Sequence, residues 1–234
     1  MRFTDMGSAN IPAHIGIIMD GNGRWAHLRD KDRSFGHRAG TANVERIVEY
    51  AFHRGVKALT LYAFSSENWA RPEKEIDALM RLLERYIKKF AGKMTENGIR
   101  LKVIGDIGVL SEKLKKAIYD AENATEKNTA GILNIGINYG ARQEIVRAVK
   151  EIISQGKEIS VESISEHLYT FGSGEPDLII RTGGELRLSN FMLFQGAYSE
   201  LYFTDVLWPD FDEKEFDKAI ESFSKRQRRY GAIK

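Results

Sequence analysis

Short apolar segments of β character alternate with longer segments of helical period along the chain, and no other feature limits the possible folds as strongly. The strand candidates are His14–Asp20, Ala58–Phe64, Arg100–Asp106, Ile132–Tyr139, Asp177–Thr182 and Leu201–Thr204. The helix candidates are about Gly36–His53, Glu73–Asn97, Ser111–Asn128, Arg142–Ser154, Val161–Tyr169 and Asp212–Arg229. Because strands that alternate with helices require crossover connections, the pattern predicts an α/β fold, a mostly parallel six-stranded sheet with helices on both faces.

The segment Glu73–Asn97 has the clearest helical pattern. Its apolar residues between Ile76 and Met94 keep the i, i+3, i+4, i+7 spacing of one helix face. The segment begins after Pro72 and ends at Asn97-Gly98, which are typical start and stop signals. Since no linker-like run or internal repeat interrupts the chain, we expect one domain over residues 13–234, preceded by a short segment, 1–12.

Composition narrows the classes of function. The 35 basic and 33 acidic residues give a net charge of +2, so the overall charge does not favour nucleic-acid binding. The chain has no cysteine, which excludes thiol nucleophiles, disulfides and zinc–thiolate sites. No segment approaches the roughly 20 apolar residues of a membrane span, and the first residues lack the apolar core of a signal peptide. We therefore expect a soluble, cytoplasmic protein.

The first strand candidate ends in the polar segment Asp20-Gly21-Asn22-Gly23-Arg24, followed by Trp25. In parallel α/β sheets, ligands bind beyond the carboxyl ends of the strands. The two glycines permit a tight turn with N–H groups close to an anion, and Arg24 adds a cation suited to phosphate oxygens. Asp20 suits a Mg²⁺ ion held between protein and diphosphate. An Asx turn without a ligand explains the same residues.

Two other strand ends carry polar clusters. The segment Ser65–Pro72, which includes Trp69, has the composition of a mobile lid or of a helix N-cap region with a buried tryptophan. Arg181, Arg187 and Ser189 follow the fifth strand and predict a second phosphate site, separate from the first. Arg181 ends an apolar strand, so it needs an anionic partner, and a structural salt bridge is the alternative to a bound diphosphate.

Six segments, distributed along most of the chain, together resemble the cis-prenyltransferase family. The matching segments are His14–Trp25, Phe35–Gly40, Ala58–Trp69, Asn134–Gly140, Asp177–Phe191 and Ala197–Phe211. The resemblance implies condensation of isopentenyl diphosphate onto an allylic diphosphate, farnesyl diphosphate, with a cis double bond formed at each step. The implied product is undecaprenyl diphosphate, the precursor of the lipid carrier for cell-wall polysaccharide, made in an elongated apolar cavity.

The resemblance also implies roles for individual residues. Asp20 is expected to hold Mg²⁺, Asn68 to lie near the proton-removal step, and Glu200 to complete the metal site. The allylic diphosphate is expected to contact Gly21, Asn22, Gly23, Arg24, Trp25, Arg33 and His37. The isopentenyl diphosphate and the lid are expected to involve Ser65, Glu67, Trp69, Arg71, Arg181, Arg187 and Ser189. The terminal element Arg229-Tyr230-Gly231 is expected to reach a partner subunit, so a homodimer is implied, with at most peripheral membrane contact for release of the lipid product.

Three alternatives remain open at this stage, and one is an unrelated phosphate-binding hydrolase, which would release phosphate without forming a carbon–carbon bond. A cis-prenyltransferase that makes shorter chains would use the same site with a shallower cavity. A non-catalytic subunit of a heteromeric prenyltransferase would keep the fold as an interaction module, although the presence of Asp20, Arg181 and Arg187 together argues against it.

Overall fold

One sheet of six parallel strands forms the centre of the structure, a computed structural model that describes residues 10–226. The strands are β1 (His14–Ile18), β2 (Ala58–Ser65), β3 (Ile99–Ile104), β4 (Gly131–Tyr139), β5 (Leu178–Arg181) and β6 (Glu200–Phe203). Their order across the sheet is β3-β4-β2-β1-β5-β6, and every neighbouring pair is parallel. All five residues of β1 are buried, as expected for a parallel strand covered on both faces. The predicted fold class is confirmed.

The helices follow the predicted segments closely. They are α1 (Asn22–His27), α2 (Arg33–His53), α3 (Glu73–Glu96), α4 (Glu112–Thr125), α5 (Ala141–Ser154), α6 (Val161–His167) and α7 (Glu213–Ser224). The last helix was predicted to continue to Arg229, whereas α7 ends at Ser224, and residues 227–234 lie outside the described part of the chain. Among the described residues, no helix combines the length and hydropathy that crossing a membrane requires.

The sequence did not predict α1, which occupies the segment expected to be a glycine turn. The helix has six residues and begins after Gly21, without a side-chain N-cap and without an acidic residue in its first turn. It therefore lacks the signals that mark a helix start, and it is too short to show a periodic pattern.

Apolar side chains cover both faces of the sheet. Ile15 and Ile17 of β1 face the larger cluster, formed with α2, α3, α4 and α7. Ile18 belongs to a smaller cluster with Tyr139 and Phe191 on the opposite face. Since the strands are parallel, their carboxyl ends lie at one edge, and this arrangement brings the residues after β1, β2 and β5 together.

Candidate active site

An ion pair between Asp20 and Arg181 joins the ends of β1 and β5. Ile18 of β1 is the register partner of Arg181, and Asp20 follows two residues later. Nη2 of Arg181 lies 2.9 Å from Oδ2 of Asp20, with the arginine side chain 5% exposed and the aspartate side chain 34% exposed. The expectation that Arg181 has an anionic partner is confirmed, and this partner is a carboxylate, as the salt-bridge alternative predicted. The two clusters, which we expected to be separate, meet at this pair.

Backbone contacts fix the position of Asp20. The fully buried hydroxyl of Thr182 accepts a hydrogen bond from Asp20 N at 3.0 Å and donates one to Asp20 O at 2.7 Å. The N–H of Gly21 donates to Oδ1 of Asp20 at 2.6 Å, and Trp208 N donates to Asp20 O at 3.0 Å. The carboxylate is therefore held at the edge of the sheet with part of its surface open to solvent.

Gly21 makes the transition from β1 to α1. Its φ of 109° lies in the left-handed region, and a Cβ there would stand 2.8 Å from the Leu207 side chain. Gly23 lies within α1, so only one of the two glycines is needed for the turn. The first N–H groups of the helix, on Asn22, Gly23 and Arg24, have no intrahelical acceptors and are open to an anion.

Arg24 and Trp25 of α1 contact two different neighbouring segments. Nη2 of Arg24 lies 3.7 Å from Oδ1 of Asp20, and it would stand 2.7 Å from a Cβ at Gly183, so the guanidinium bridges the two loops. The Trp25 ring stacks on Phe35 with centroids 5.7 Å apart, and its Nε1 donates to Asp210 Oδ1 at 2.7 Å. Trp25 therefore positions the loop through packing.

Glu75 gathers three predicted anion-binding residues around one carboxylate oxygen. Its Oε1 lies 3.4 Å from Arg33 Nε, 3.4 Å from His37 Nε2 and 3.0 Å from Arg71 Nη1. The Glu75 side chain is only 14% exposed. Glu75, at the start of α3, therefore joins Arg33 and His37 of α2 to Arg71, and the three side chains form one basic cluster.

His37 is held in its neutral form by its surroundings. Burial lowers the pKa of His37 below its usual value, and the positive charges of Arg71 and Arg33 lower it further. The hydrogen bond and charge of Glu75 oppose this shift without reversing it. At neutral pH, the imidazole therefore contributes a polar contact to the cluster, and the positive charge comes from the arginines.

The predicted lid is a 3-10 helix, Ser66–Ala70, that follows β2. Oδ1 of Asn68 accepts from Ser65 N at 3.1 Å, and the Ser65 side chain accepts in return from the Asn68 backbone. This capping box agrees with the prediction that the segment is a helix N-cap region. In this conformation, Asn68 is directed to its own backbone.

The remaining lid residues contact neighbouring loops. Glu67 Oε1 accepts from Asn190 Nδ2 at 2.9 Å, which joins the lid to the loop after β5. Trp69 is 39% exposed, and its Nε1 donates to Asn138 Oδ1 at 2.8 Å. The buried-tryptophan interpretation of Trp69 is therefore wrong, because the indole lies over the end of β4 with one side open to solvent.

Ser189 and Arg187 continue from the Arg181 end of the site. Nη1 of Arg181 donates to Ser189 Oγ at 2.8 Å and also to the carbonyl oxygen of Arg187. Ser189 has a φ of 49°, a left-handed conformation that turns its hydroxyl back towards the arginine. The Arg187 side chain is 61% exposed and pairs with Glu185. Ser189 therefore belongs to the site centre, and Arg187 lies at its open side.

Glu200 is distant from the Asp20–Arg181 pair of the same chain. It is the first residue of β6, in register with Leu178, so it lies at the amino end of the strands, about 10 Å along the strand direction from Arg181. Its Oε2 accepts from Arg226 Nη1 at 2.6 Å. The terminal element Arg229-Tyr230-Gly231, predicted to reach a partner subunit, lies outside the described residues.

An apolar cavity of about 90 Å³ lies beside the α1 loop. Its walls include Leu61, Ala63, Leu83 and Ile87 of β2 and α3, as expected for a chain-binding cavity. Thr41 and Val44 of α2 and Ile135 of β4 also line it. The cavity reaches the polar site through Asn22 and His37, which line its upper end.

The donor set fits a magnesium ion that takes most of its ligands from a substrate. Among residues 10–226, no group of three or more His, Cys, Asp or Glu side chains is arranged to hold a metal. Asp20 supplies one partly exposed carboxylate. Its oxygen atoms are hard ligands of the kind that Mg²⁺ prefers. Magnesium in phosphate sites is commonly held by one or two carboxylates and completed by phosphate oxygens and water.

Sequence reasoning missed Glu75, Thr182 and the glycines of α2. Glu75 follows Arg71 at the i+4 spacing of an ion pair, a signal that the intervening proline and the helix start concealed. A Cβ at Gly36 would stand 2.0 Å from Asn22 O, and one at Gly40 would stand 2.0 Å from Asn22 Oδ1. These glycines, read as part of a family motif, allow α1 to pack directly on α2.

Comparison with known proteins gives a consistent result along most of the chain. Residues 18–231 match the profile of the prenyltransferase family of undecaprenyl diphosphate synthases. An isoprenyl transferase of Fusobacterium nucleatum is 55% identical over 226 residues, covering 96% of this chain and 98% of that protein. A ditrans,polycis-undecaprenyl-diphosphate synthase of Haemophilus influenzae, specific for (2E,6E)-farnesyl diphosphate, is 51% identical over 234 residues, covering 97% and 98%.

A solved structure has the same fold. Lavandulyl diphosphate synthase from Lavandula x intermedia, in complex with dimethylallyl diphosphate, superposes with a TM-score of 0.90. It is 34% identical, with 95% of this chain and 99% of that chain covered.

Proposed function

The chain belongs to the prenyltransferase family of undecaprenyl diphosphate synthases, and we propose that it condenses isopentenyl diphosphate onto farnesyl diphosphate to make undecaprenyl diphosphate. The product would serve as precursor of the lipid carrier for cell-wall polysaccharide. The Asp20–Arg181 pair carries the proposal, because it places one carboxylate between two groups of cations at the mouth of an apolar cavity.

The allylic diphosphate is assigned to the α1 side of the pair. The free N–H groups of Asn22, Gly23 and Arg24, with Arg33 and His37 at Glu75, offer donors and positive charge there. Arg71, which was expected with the isopentenyl diphosphate and the lid, pairs with the same Glu75 and is therefore reassigned to the allylic side. The upper end of the apolar cavity, next to Asn22 and His37, gives the prenyl chain a path from this position. Gly21 permits the turn from β1 into α1, and Trp25 holds α1 in place by stacking on Phe35.

The isopentenyl diphosphate is assigned to the Arg181 side. Arg181, Ser189 and the exposed Arg187 supply the donors. Of the lid residues, Glu67 borders this side through Asn190 in the loop after β5, and Trp69 contacts Asn138 at the end of β4. Ser65 supports the lid through its capping box with Asn68.

In the reaction, the allylic C–O bond breaks as the isopentenyl double bond attacks the allylic carbon, and a new C–C bond forms. Negative charge then develops on the departing diphosphate, which Arg24, Arg33 and the helix N–H groups stabilise. Because the terminal carbon of the isopentenyl double bond forms the new C–C bond, its neighbour becomes a tertiary carbocation. The condensation ends when the carbon between that cation and the diphosphate-bearing carbon loses a proton to water or a phosphate oxygen, and the C–H electrons form the new double bond. Asn68 is the residue assigned to this step, which requires its side chain to turn away from Ser65 N.

Magnesium is the proposed cofactor, with Asp20 as its protein ligand. Bound there with diphosphate oxygens, it would neutralise charge on the phosphates. A metal-binding role for Glu200 requires a second copy of the chain, because Glu200 lies at the opposite edge of the sheet from Asp20. The homodimer expected from the family would supply that second copy. Any membrane contact is proposed to be peripheral and to serve product release.

A shorter product is the second candidate, favoured by one observation. The lavandulyl diphosphate synthase, which shares the fold, is named for a product much shorter than undecaprenyl diphosphate, whereas the cavity of about 90 Å³ is too small for a farnesyl chain or a longer one unless its walls move apart. Long-chain synthesis therefore requires α2 and α3 to separate as the chain grows.

Product analysis tests these candidates. Purified protein is incubated with Mg²⁺, farnesyl diphosphate and labelled isopentenyl diphosphate, and the products are separated by reverse-phase chromatography against length standards. A main product of undecaprenyl length is expected. A main product only one or two isoprene units longer than farnesyl would replace the assignment with a short-chain enzyme. Absence of incorporation would favour a non-catalytic subunit.

A further inference from the structure

A basic groove of about 860 Å³ lies between the start of α2 and the exposed side of α3, and it extends outward from the Arg33–His37–Glu75 cluster of the candidate site. Its floor contains Ala78, Leu79 and Leu82 of α3. Its rim carries the side chains of Arg33, Arg38, Lys74, Arg81, Arg85 and Lys113.

Four of these cations are available to an external partner. Lys74, Arg81 and Arg85 are separated by seven and four residues, so they lie along one face of α3. With Arg38, they are exposed and form no ion pair with a carboxylate within residues 10–226.

The acidic residues of the groove are already engaged. Glu75 pairs with Arg33, and Glu84 pairs with Lys113. Asp32 caps α2 by accepting from Phe35 N at 2.7 Å. The groove therefore presents net positive charge above an apolar floor.

The groove shares a wall with the apolar cavity. Leu79, Leu82 and His37 line both spaces, so two leucine side chains of α3 separate the cavity from the groove. The wall lies beside His37, near the diphosphate end of the cavity, so a bound prenyl chain would run past the two leucines and could leave sideways between them into the groove.

We propose that this groove docks the protein on an anionic lipid surface, and that the prenyl chain passes into the bilayer across the Leu79–Leu82 wall. The inference rests on the proposed function, because only a lipid product needs such a route. Lysine and arginine side chains are attracted to anionic leaflets, and an apolar floor between them favours an interfacial position. A nucleic acid or another soluble polyanion would use the cations but not the apolar floor or its continuity with the cavity.

The test compares two double variants in vesicle sedimentation. Arg81→Gln/Arg85→Gln removes two rim charges and keeps polar side chains of similar length. The control, Lys127→Gln/Lys157→Gln, removes two exposed lysines that follow α4 and α5, at the amino edge of the sheet. Wild-type protein should bind phosphatidylglycerol-containing vesicles and not pure phosphatidylcholine vesicles. Each rim charge removed should weaken binding by about fivefold, whereas the control should bind like wild type.

Turnover supplies the second measurement. With anionic vesicles as the only lipid, the rim variant should form product normally in the first turnover and more slowly in later ones, and detergent micelles should restore its steady-state rate. Equal vesicle binding by the rim variant and wild type would overturn the proposal, as would equal loss in the control. Wild-type binding to heparin but not to anionic vesicles would point to a soluble polyanion instead. Label incorporation in detergent tests the proposed function separately, so the two failures are distinguishable.

Discussion

At the scale of the residue, the site depends on pairings that cross large sequence distances. Asp20 and Arg181 could each be predicted from their positions at strand ends, and so could the need of Arg181 for an anion. Their pairing could not be predicted, because it depends on the register of β1 against β5 and on the hydrogen bonds that Thr182 makes to the backbone of Asp20. The role of Glu75 was not predicted, because the local sequence does not distinguish a solvated glutamate from one that pairs with several side chains.

Loss of the Asp20 carboxylate should abolish turnover while the fold persists. In Asp20→Ala, Arg181 keeps its bonds to Ser189 Oγ and the Arg187 carbonyl but loses its carboxylate partner, so we expect a stability loss of about 3 kcal/mol. Activity should fall by at least about 10²–10³-fold, because the charge at the proposed metal position is gone.

Asp20→Asn is the matched variant, because it keeps the size of the side chain and removes only its charge. Thermal unfolding and labelled product formation are measured for both variants, with Arg181→Ala as a comparison that should chiefly raise the KM for isopentenyl diphosphate. Near-native turnover in Asp20→Asn would contradict the assigned role of the carboxylate.

At the scale of the element, the position of α1 is set by its contact with α2. The long helices and the strands were predictable, because their apolar period extends over many residues. The short α1 was not, since its formation depends on the left-handed Gly21 and on the space that Gly36 and Gly40 leave for Asn22. The family motif located these glycines but not their packing role.

Gly36→Ala should displace α1 and lower activity. The new Cβ would stand 2.0 Å from the backbone oxygen of Asn22, so the helix that carries Arg24 would have to shift. Overpacking of this kind costs about 1–3 kcal/mol. Gly92→Ala is the control, because Gly92 lies in α3 with nothing within 4 Å of the added Cβ, and it should gain up to about 1 kcal/mol from helix propensity.

Thermal denaturation and steady-state kinetics distinguish the two substitutions. Gly36→Ala should lose both stability and kcat, whereas Gly92→Ala should keep its kcat. If Gly36→Ala matched wild type in both measurements, close packing of α1 on α2 would not be what positions Arg24.

At the scale of the whole molecule, the parallel sheet explains why sequence analysis located the site. Since all carboxyl ends lie at one edge, polar clusters after β1, β2 and β5 had to converge, whatever the details of their contacts. The charged groove on α3 was not foreseen, because it depends on how α2 and α3 lie against each other. Helix period predicts which face of α3 is buried but not which neighbour borders the exposed one.

The sheet also contains a buried histidine that should make folding stability depend on pH. His14 in β1 is 1% exposed, with Nε2 at 2.7 Å from Thr60 Oγ1 of β2 and Nδ1 at 2.7 Å from Gly174 O. Burial lowers the pKa of His14 from 6.5 to about 4, although the Gly174 carbonyl and Asp177 oppose the shift. Between these values, the unfolded chain binds a proton that the folded protein excludes.

The free energy of unfolding should therefore fall as the pH is lowered from about 6.5 to 4, with a contribution from His14 of about 3 kcal/mol that is complete near pH 4. Carboxylates also titrate at the low end of this range, so the informative quantity is the difference in slope between wild type and His14→Gln, measured by urea unfolding at a series of pH values. The variant should have the shallower slope whatever its absolute stability. An NMR titration of the folded protein gives the independent check, because a His14 ring that protonated near pH 6.5 would remove the physical basis of the effect.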